Sequence, residues 1–588
     1  MKNFSKMPCR LAVALILFFI FLAYANSLYN GFVYDDHAYV EENHHIRSLK
    51  YFFSYFTDLR TYQGTGHEGQ FNVYRPLVTF SFAVDYMING LNPFIYHLTN
   101  LLLHLSVTLL LFFFFCRFTL RYSIAFITAL LFTVHPAQIE AVSWISGRGN
   151  MLYGMFIVLS LIQFLFFLKK PHWKHGCIIS LLYILGLFSK EMALSLLPLL
   201  ILTYVFCKDR ALLMPFIKLM IVLSVLSLGY ILIRLQVTGA LSQGGYWGGT
   251  LKVTFLTMVT VLIRYARLMF FPFRLNVLPD IPLIYSLLNP NFIFSLIAVS
   301  AVCIFLMSTR RRNNSVFSVW WVYASLLPVL NIIPIQALYA ERFLYIGTAG
   351  GMLFLASVFN LINKRMRIMG YLAIICLFCI ATVVRNADWK NNIALWESVI
   401  RCDPQNARAY NGLGMEALNA GDHKTAHENF KLSHQLDPRN YYTTLNLALT
   451  FKMQGDDETF LKMLDNALNT SEGYRPYALH NIGLFLLEKR EYTSALNYLK
   501  EAVSLDENYA NAFNSLGLCY AFLNQEDNAV NAWLTSSSLK GGWKEPLYNI
   551  VIFYLQHQNI EKALYYIDYA KKIVQDISIF TELEQSIK

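Results

Sequence analysis

The chain has 588 residues, of which 56% are hydrophobic and only 14% are charged. Soluble proteins carry about a quarter charged residues, so this composition excludes an ordinary soluble globular protein. The net charge of +11 divides unevenly, because residues 386–588 carry a net −7 and residues 1–385 therefore carry +18. The positive residues lie in short clusters between apolar runs, which is typical of loops that set membrane orientation. We therefore expect a membrane protein with no nucleic-acid partner.

Eleven apolar runs of spanning or near-spanning length predict a polytopic membrane domain over residues 1–385. The first run follows a basic segment but is too long for the apolar core of a signal peptide, and no small-residue cleavage site follows it. We therefore expect it to remain as a membrane helix. The runs lie at 11–28, 96–116, 122–134, 151–168, 176–188, 192–206, 212–235, 291–308, 316–333, 343–361 and 368–385.

The distribution of Lys and Arg predicts a cytoplasmic N-terminus. Basic clusters then fall on alternate turns that all face the cytoplasm, at 117–121, 169–174, 208–210, 310–312 and 364–367. The segment 251–271 carries Lys252, Arg264 and Arg267, and as a crossing it would invert every later basic loop. We expect it to be an amphipathic helix at the outer interface. An odd number of crossings places residues 386–588 on the extracytoplasmic side.

The C-terminal part contains an internal repeat of 34 or 35 residues. Alanine follows four of its five anchor residues at a distance of twelve, and Phe460 stands at that position in the second unit. The period resembles that of tetratricopeptide repeats over about Asn406–Asp576, with 389–404 as a leading helix. Such repeats form an α-solenoid with a peptide-sized groove. We therefore predict an all-α fold, a helical membrane bundle followed by an α-solenoid that binds a protein or peptide. The anchors are Gly414, Ala448, Gly483, Gly517 and Val551.

Ionisable residues recur in the segments predicted to face the outer side. Charged groups at membrane depth or against it are costly, so their clustering on one side indicates a functional site. We expect the site to draw on Asp35, Asp36, Arg75, His135, Glu140, Arg148, Lys190, Glu191, Glu341 and Arg342.

These residues lie within five of seven sequence motifs that are specific in combination. The motifs are FVYDD at 32–36, YRPL at 74–77, LNPFIYHLTNLLLH at 91–104, HPAQIEAVSWISGRGN at 135–150, SKE at 189–191, AERFLYI at 340–346 and ADWKNNIALWESVIRCDPQNARAYNGLG at 387–414. Together they resemble the transmembrane, tetratricopeptide-bearing O-mannosyltransferases, which are relatives of the protein O-mannosyltransferases with the GT-C fold. The chain departs from that family at Asn150, where an acid is common, and in its short repeat array.

The resemblance implies a membrane glycosyltransferase that moves a mannose-like sugar from a polyprenyl-phosphate carrier to a protein hydroxyl on the extracytoplasmic side. Asp35, with Asp36 beside it, would be the general base that accepts the hydroxyl proton. Cations would stabilise the departing lipid phosphate, and the remaining residues would orient them or contact substrate. We expect no cofactor and assign no metal ligand. The expected cations are Arg75, Arg148, Lys190 and Arg342.

The sequence leaves alternatives open both for the site residues and for the function. Asp35 and Asp36 are equally explained as interfacial acids, Arg148 and Arg342 as snorkelling anchors, and the sequence at 135–136 as the end of the third crossing. Lys190 and Glu191 are also explained as a local ion pair. The alternative functions are a non-catalytic membrane scaffold for envelope assembly and a GT-C enzyme of glycan assembly. The compact length favours a bacterial inner membrane over an endoplasmic reticulum with luminal repeats.

Overall fold

The computed structural model describes residues 8–62, 73–207, 212–240, 242, 244–308, 314–468, 474–539, 543–574 and 577–587. Within these ranges every regular element is a helix. The chain divides into two compact units, Met1–Pro404 and Gln405–Lys588. The predicted all-α fold, a membrane bundle followed by a repeat solenoid, is confirmed. The basic clusters at 208–210 and 310–312, used above for orientation, lie outside the described residues.

The first unit contains fifteen α-helices among its described residues, joined by short 3-10 turns. They are α1 Cys9–Tyr24, α2 Pro76–Asn89, α3 Pro93–Thr119, α4 Tyr122–Thr133, α5 Ile139–Val142, α6 Gly149–Lys169, α7 Trp173–Ser189, α8 Leu196–Cys207, α9 Leu213–Thr238, α10 Leu251–Phe270, α11 Pro290–Ser308, α12 Asn314–Leu326, α13 Tyr345–Phe359, α14 Lys364–Asn386 and α15 Asn392–Cys402.

Seven helical stretches of the described residues are long and apolar enough to cross a bilayer, where about 20 residues are needed. An eighth candidate is a pair of helices bent by 57°, and three further apolar helices are shorter. Helix α10 meets the length and composition test, although the sequence predicted an interfacial helix there. The seven are Cys9–Tyr29, Pro93–Thr119, Ile145–Lys169, Leu213–Thr238, Leu251–Phe270, Glu341–Phe359 and Lys364–Trp389.

The bent pair results from the sequence at 135–136. Helix α4 ends at Thr133, and Pro136 begins the next short helical turn, where its missing N–H cannot continue the hydrogen-bond ladder of α4. The His135 side chain accepts a hydrogen bond from the Ala137 N–H at 3.2 Å and so caps the new turn. The chain therefore bends at this point, and α5, which carries Glu140, lies inside the first unit.

The segment 386–404 lies in the first unit, although the sequence analysis placed the domain boundary at 385. The Asn386 amide donates to the Ala23 carbonyl at 2.8 Å, and its backbone carbonyl accepts from Asn30 at 3.1 Å. Trp389 is buried and stacks on Trp144 at 6.0 Å between ring centroids. These contacts join α15 to the membrane unit, and a change of composition along the sequence does not reveal them.

The second unit consists of five antiparallel helix pairs and a terminal helix. Each helix contacts the one that follows it in the chain, so neighbouring pairs stack as expected for repeats. The helices are α16 Ala407–Asn419, α17 His423–Leu436, α18 Tyr441–Met453, α19 Asp457–Leu468, α20 Arg475–Glu488, α21 Tyr492–Leu505, α22 Ala510–Phe522, α23 Glu526–Leu539, α24 Lys544–Gln556, α25 Ile560–Ile573 and α26 Ser578–Ile587.

The anchor glycines allow close packing of the two helices in a repeat. A Cβ added at Gly414 would lie 2.5 Å from the Phe430 ring, and one at Gly517 would lie 2.5 Å from Trp533. Both aromatic residues are buried and lie sixteen residues after their anchors. The repeat period read from the sequence therefore corresponds to a packing requirement.

Candidate functional site

The loop that follows the first membrane helix is held by Asp36. Its carboxylate accepts from the Val33 N–H at 3.2 Å, and from the N–H and hydroxyl of Ser146 at 2.8 and 2.5 Å. The side chain is fully buried, and this burial raises the pKa of Asp36 to about 7 against the lowering effect of these hydrogen bonds. Asp36 therefore ties the loop to the turn at 145–148 and does not face solvent.

Asp35 lies at a bend of the same loop and is half-buried. The residue before it, Tyr34, has φ +56°, in the left-handed region that is uncommon for residues other than glycine. A short π-helical turn, His37–Glu41, follows. The two neighbouring acids thus have different surroundings, because Asp36 turns into the protein while Asp35 keeps partial contact with solvent.

Tyr39, on this π-helical turn, marks the point where the predicted groups converge. Desolvation raises the pKa of the Tyr39 hydroxyl, Asp35 acts in the same direction, and Arg75 and Arg342 oppose both. These three charged groups come from positions up to 307 residues apart in the sequence, and all lie within electrostatic reach of one hydroxyl. The sequence analysis did not identify Tyr39.

Arg75 and Glu191 form an ion pair of 3.1 Å, with both side chains about one quarter exposed. Burial works against the charge of Arg75, but Glu191 outweighs it and holds the pKa of Arg75 above its usual value. The Arg75 Nη2 is paired with Glu191, while the neighbouring Nε is buried and has no hydrogen-bond partner among the described residues.

Lys190 is only 2% exposed, and its ammonium donates to the Asn150 side-chain oxygen at 2.6 Å. Burial, with Arg75 and Arg342 nearby, lowers the pKa of Lys190 well below its usual value, while Glu191 and Glu140 oppose this. Glu191 is paired with Arg75 and not with its chain neighbour Lys190, so the local ion pair considered above is not what the structure forms.

Glu140 holds Arg342 at two points. One carboxylate oxygen is paired with the Arg342 guanidinium, and the other accepts from the Arg342 backbone N–H at 2.8 Å. Glu140 is buried, whereas the Arg342 side chain is 24% exposed. Gly147 permits this arrangement, because a Cβ there would lie 2.7 Å from the Glu140 carbonyl oxygen. Glu140 therefore holds a partly exposed guanidinium at two points.

Arg148 is enclosed, in contrast to the other arginines. It is fully buried and pairs with Asp85 at 2.5 Å, and it also donates to Asn100 at 2.7 Å and to the Tyr96 carbonyl at 3.0 Å. Its guanidinium lies over the Phe82 ring at 4.7 Å. This geometry leaves no edge of Arg148 for a lipid phosphate and does not match a snorkelling anchor, so the structure favours a supporting role under the site.

His135 and Glu341 are engaged with backbone and charged groups outside the Arg75 and Arg342 ion pairs, although Glu341 lies within electrostatic reach of Glu140 and Arg342. Besides capping the turn at 136, His135 contacts the Met269 carbonyl at 2.9 Å through its other ring nitrogen, so both of its nitrogens serve the fold. Glu341 is buried, 3.9 Å from Arg385. These two residues support neighbouring segments and do not contribute to the open part of the cluster.

The cluster combines the half-buried Asp35 with three cations, of which Arg75 and Arg342 are partly exposed and are paired with Glu191 and Glu140. A carboxylate can accept a proton from a hydroxyl, and cations in a partly dry wall stabilise a developing phosphate charge. A further cation, Arg234 at the end of α9, lies within electrostatic reach of Glu191. Arg234 lies within an apolar run, and a charged residue in such a run indicates a functional site, so sequence reasoning could have identified it. Among the described residues, no group of three or more His, Cys, Asp or Glu could hold a metal ion.

Comparison with known proteins agrees with the motifs. Protein O-mannosyl-transferase TMTC3 of Homo sapiens is 24% identical over 94% of this chain and 67% of its own length. Protein O-mannosyl-transferase F38B6.6 of Caenorhabditis elegans is 26% identical over 71% of this chain and 61% of its own. The chain resembles the protein O-mannosyl-transferases along nearly its whole length. The resemblance predicted from the motifs is confirmed.

Similarity to these relatives is higher over a shorter stretch. Protein O-mannosyl-transferase tmtc2 of Xenopus laevis is 38% identical over 24% of this chain. The chain spans about two thirds or less of the length of the curated relatives it matches along most of its sequence.

The repeat unit also matches known proteins. A family described as tetratricopeptide repeat matches residues 476–509, which confirms the predicted repeats. Among solved structures, MamA is 24% identical over 27% of this chain and 93% of its own, with a TM-score of 0.24. YrrB, a TPR protein with an unusual peptide-binding site, is 20% identical over 32% of this chain and 97% of its own, also at 0.24. These scores are too low to support a functional comparison.

Proposed function

We propose that the chain is an integral membrane glycosyltransferase of the GT-C type. It transfers a mannose-like sugar from a polyprenyl-phosphate carrier to a protein hydroxyl on the extracytoplasmic side of a bacterial inner membrane. The observation that carries the proposal is the pair of partly exposed guanidinium groups, Arg75 and Arg342, each held by a glutamate, with Asp35 within electrostatic reach of the same Tyr39 hydroxyl as both arginines. A carboxylate near several cations suits an inverting transfer from a phosphate leaving group.

In this mechanism Asp35 accepts the proton of the acceptor hydroxyl as its oxygen attacks the anomeric carbon. The sugar–phosphate bond breaks, and the polyprenyl phosphate leaves with the bonding electrons. Asp36 holds the loop through its three hydrogen bonds and does not take the proton, because its side chain is fully buried and does not face an acceptor hydroxyl. The two acids assigned together from the sequence therefore have separate roles.

The leaving phosphate is received by Arg75, Arg342 and Lys190. Arg75 and Arg342 are each 24% exposed, and each offers the part of its guanidinium that its glutamate partner does not hold. A guanidinium suits a phosphate because its donors form a planar fork, while an ammonium acts as a point charge. Glu191 and Glu140 keep the two arginines oriented before the donor arrives.

The repeat unit gathers the protein acceptor. Stacked helix pairs of this kind present an extended surface suited to peptide segments, and the unit carries net negative charge, unlike the membrane unit. A non-catalytic scaffold for envelope assembly would use the same surface, but it would not require the cluster at Tyr39.

Glycoproteomics of a deletion strain tests the proposal. Complementation with the wild-type gene should restore hexose-modified peptides from extracytoplasmic proteins, and Asp35→Asn should not, although it reaches the membrane in equal amount. The loss of a positioned base costs about two to four orders of magnitude in rate. An unchanged glycoproteome in the deletion strain would favour the scaffold.

A chain ending at Pro404 separates the two units. It retains the whole first unit, so it should still bind the polyprenyl-phosphate donor, while modification of full-length protein acceptors is lost. Normal modification by the shortened chain would show that the repeats do not gather the acceptor. If the deletion strain keeps its modified proteins and instead differs from wild type in a glycan, the chain is assigned to glycan assembly.

A further inference from the structure

We infer that Asn392, at the start of α15, is the positioning residue for Asp35. This inference rests on the proposed function, because it assigns Asp35 its catalytic place. Asn392 belongs to the segment that leads into the repeats, which the sequence analysis did not connect with the site. In the structure its amide contacts the residues on both sides of the Asp35–Asp36 pair.

The contacts form a chain of hydrogen bonds in which each donor and acceptor can be assigned. The Tyr34 N–H donates to the Asn392 side-chain oxygen at 2.8 Å, and the Asn392 amide nitrogen lies 3.1 Å from His37 Nε2. The other ring nitrogen of His37 lies 2.5 Å from a Glu41 carboxylate oxygen. A carboxylate can only accept, so His37 donates to Glu41 and its Nε2 accepts from Asn392. The amide oxygen of Asn392 is then left to accept from Tyr34, as observed.

The loop needs such a restraint because Tyr34 adopts a left-handed conformation. At φ +56° a tyrosine is strained, and surrounding contacts must hold it there. The Tyr34 ring packs against Trp396, one helical turn after Asn392, with ring centroids 5.6 Å apart. Helix α15 therefore restrains both the backbone and the ring of the residue that precedes Asp35.

Helix α15 is itself firmly seated in the membrane unit. Leu395 and Val399 are fully buried, and Ser398 accepts from Arg385 at 3.3 Å. Just before the helix, the Lys390 carbonyl accepts from the Gly31 N–H at 2.9 Å. A helix packed in this way holds the Tyr34 loop in one position more firmly than a flexible surface loop would.

The restraint acts directly on the loop that carries Asp35, and it reaches Arg342 indirectly through Trp144, which lies 6.2 Å from the Tyr34 ring and 5.3 Å from the Arg342 guanidinium. Arg75 and Arg342 are oriented by Glu191 and Glu140, and neither contact involves α15. Loss of the Asn392 amide should therefore misplace the base and lower kcat, while the KM for the polyprenyl-phosphate sugar is retained. A misplacement of about 1 Å can cost on the order of a hundredfold in rate.

The matched pair of variants is Asn392→Ala and Asn391→Ala. Asn391 is the adjacent residue, and its side chain caps α15 by accepting from the Ala394 N–H at 2.9 Å. Asn391→Ala therefore weakens the helix start without touching Tyr34 or His37. We expect Asn392→Ala to lower kcat about tenfold to a hundredfold with donor KM within twofold, and Asn391→Ala to remain within about threefold of wild type in both.

Hydrogen exchange of the full-length protein provides a readout independent of activity. Asn392→Ala should speed exchange of the Tyr34 amide at least tenfold, whereas Asn391→Ala should not. Asn392→Asp keeps an acceptor for the Tyr34 amide, so this amide should stay protected from exchange and part of kcat should be recovered. The aspartate variant also tests the inference if the alanine variant does not fold.

Equal kcat losses in the two alanine variants, or slow Tyr34 exchange in Asn392→Ala, would overturn the inference. A wild-type protein that transfers no sugar would overturn the proposed function instead, and the exchange rates would then still decide whether Asn392 restrains the loop.

Discussion

Asp36 and Ser146 are joined by two hydrogen bonds across 110 positions of sequence. One carboxylate oxygen of Asp36 accepts from the Ser146 N–H at 2.8 Å and from its hydroxyl at 2.5 Å. This contact fixes the loop after the first membrane helix to the turn that carries Arg148. The two adjacent acids therefore have different surroundings, since Asp36 is fully buried and hydrogen-bonded while Asp35 is half-buried.

Asp36→Asn should destabilise the protein. Its amide nitrogen would face the Val33 N–H, now 3.2 Å from the carboxylate, so one buried hydrogen bond is lost at about 1–3 kcal/mol. Asp35→Asn should leave stability near that of wild type, because its side chain is half-buried. Thermal unfolding in detergent micelles measures both. Equal Tm values for the two variants would contradict the assignment of roles.

The same residue gives stability a defined pH dependence. Burial raises the pKa of Asp36 to about 7, whereas an unfolded aspartate has a pKa of about 4. The folded protein therefore binds this proton more tightly, and the stability it provides is fully present below about pH 4 and is lost as pH rises through 7. Tm should fall between pH 5 and pH 8 by more in wild type than in Asp36→Asn, which lacks this titration.

Arg148→Ala should impair folding and not donor binding. Removing one partner of a buried ion pair leaves an uncompensated charge on Asp85 and costs about 3–5 kcal/mol. Arg342→Ala should instead raise the KM for donor, with Arg342→Lys recovering part of the loss, and it should lower Tm less than Arg148→Ala because the buried Glu140 keeps its hydrogen bond from the backbone N–H of residue 342. A variant Arg148→Ala that unfolds like wild type but loses donor affinity would place this guanidinium in the phosphate site.

Lys190 should make phosphate binding pH-dependent. Burial lowers the pKa of Lys190, and a bound phosphate stabilises the charged form, so binding takes up a proton and affinity falls as pH rises. Asn150→Asp places a carboxylate at the 2.6 Å contact and should keep Lys190 charged, which flattens this dependence. Titration calorimetry with a short-chain polyprenyl phosphodiester from pH 6 to pH 9 compares the two proteins; parallel curves would exclude Lys190.

Gly517→Ala should unfold the repeat unit at a lower temperature. The added Cβ would lie 2.5 Å from the Trp533 ring, and overpacking of this kind costs about 1–3 kcal/mol. Gly421 has open space around its Cα but φ +77°, so Gly421→Asn, which tolerates this conformation, is the matched control. Circular dichroism melting of the full-length protein should show a lower transition for Gly517→Ala alone.

The sequence by itself determined the architecture. Apolar runs, basic clusters and a 34-residue period depend on residues close together in the chain, and each pattern corresponds to a local physical requirement. A lipid-exposed helix must be apolar along its length, and a repeat must allow helix packing at Gly414, Gly483 and Gly517. These features could therefore be read without knowledge of long-range contacts.

Only the tertiary structure decided which charged groups are enclosed and which are partly exposed. Arg148 and Arg342 are equivalent in the sequence analysis, yet Asp85 encloses the first and Glu140 orients the second. Asn392 reaches Tyr34 from 358 residues away. Burial and pairing depend on partners that any chain segment can supply, and the energy of a charge in a low-dielectric interior is set by those partners. The charged residues were therefore visible in the sequence, whereas the sequence did not show which of them are enclosed and which are partly exposed.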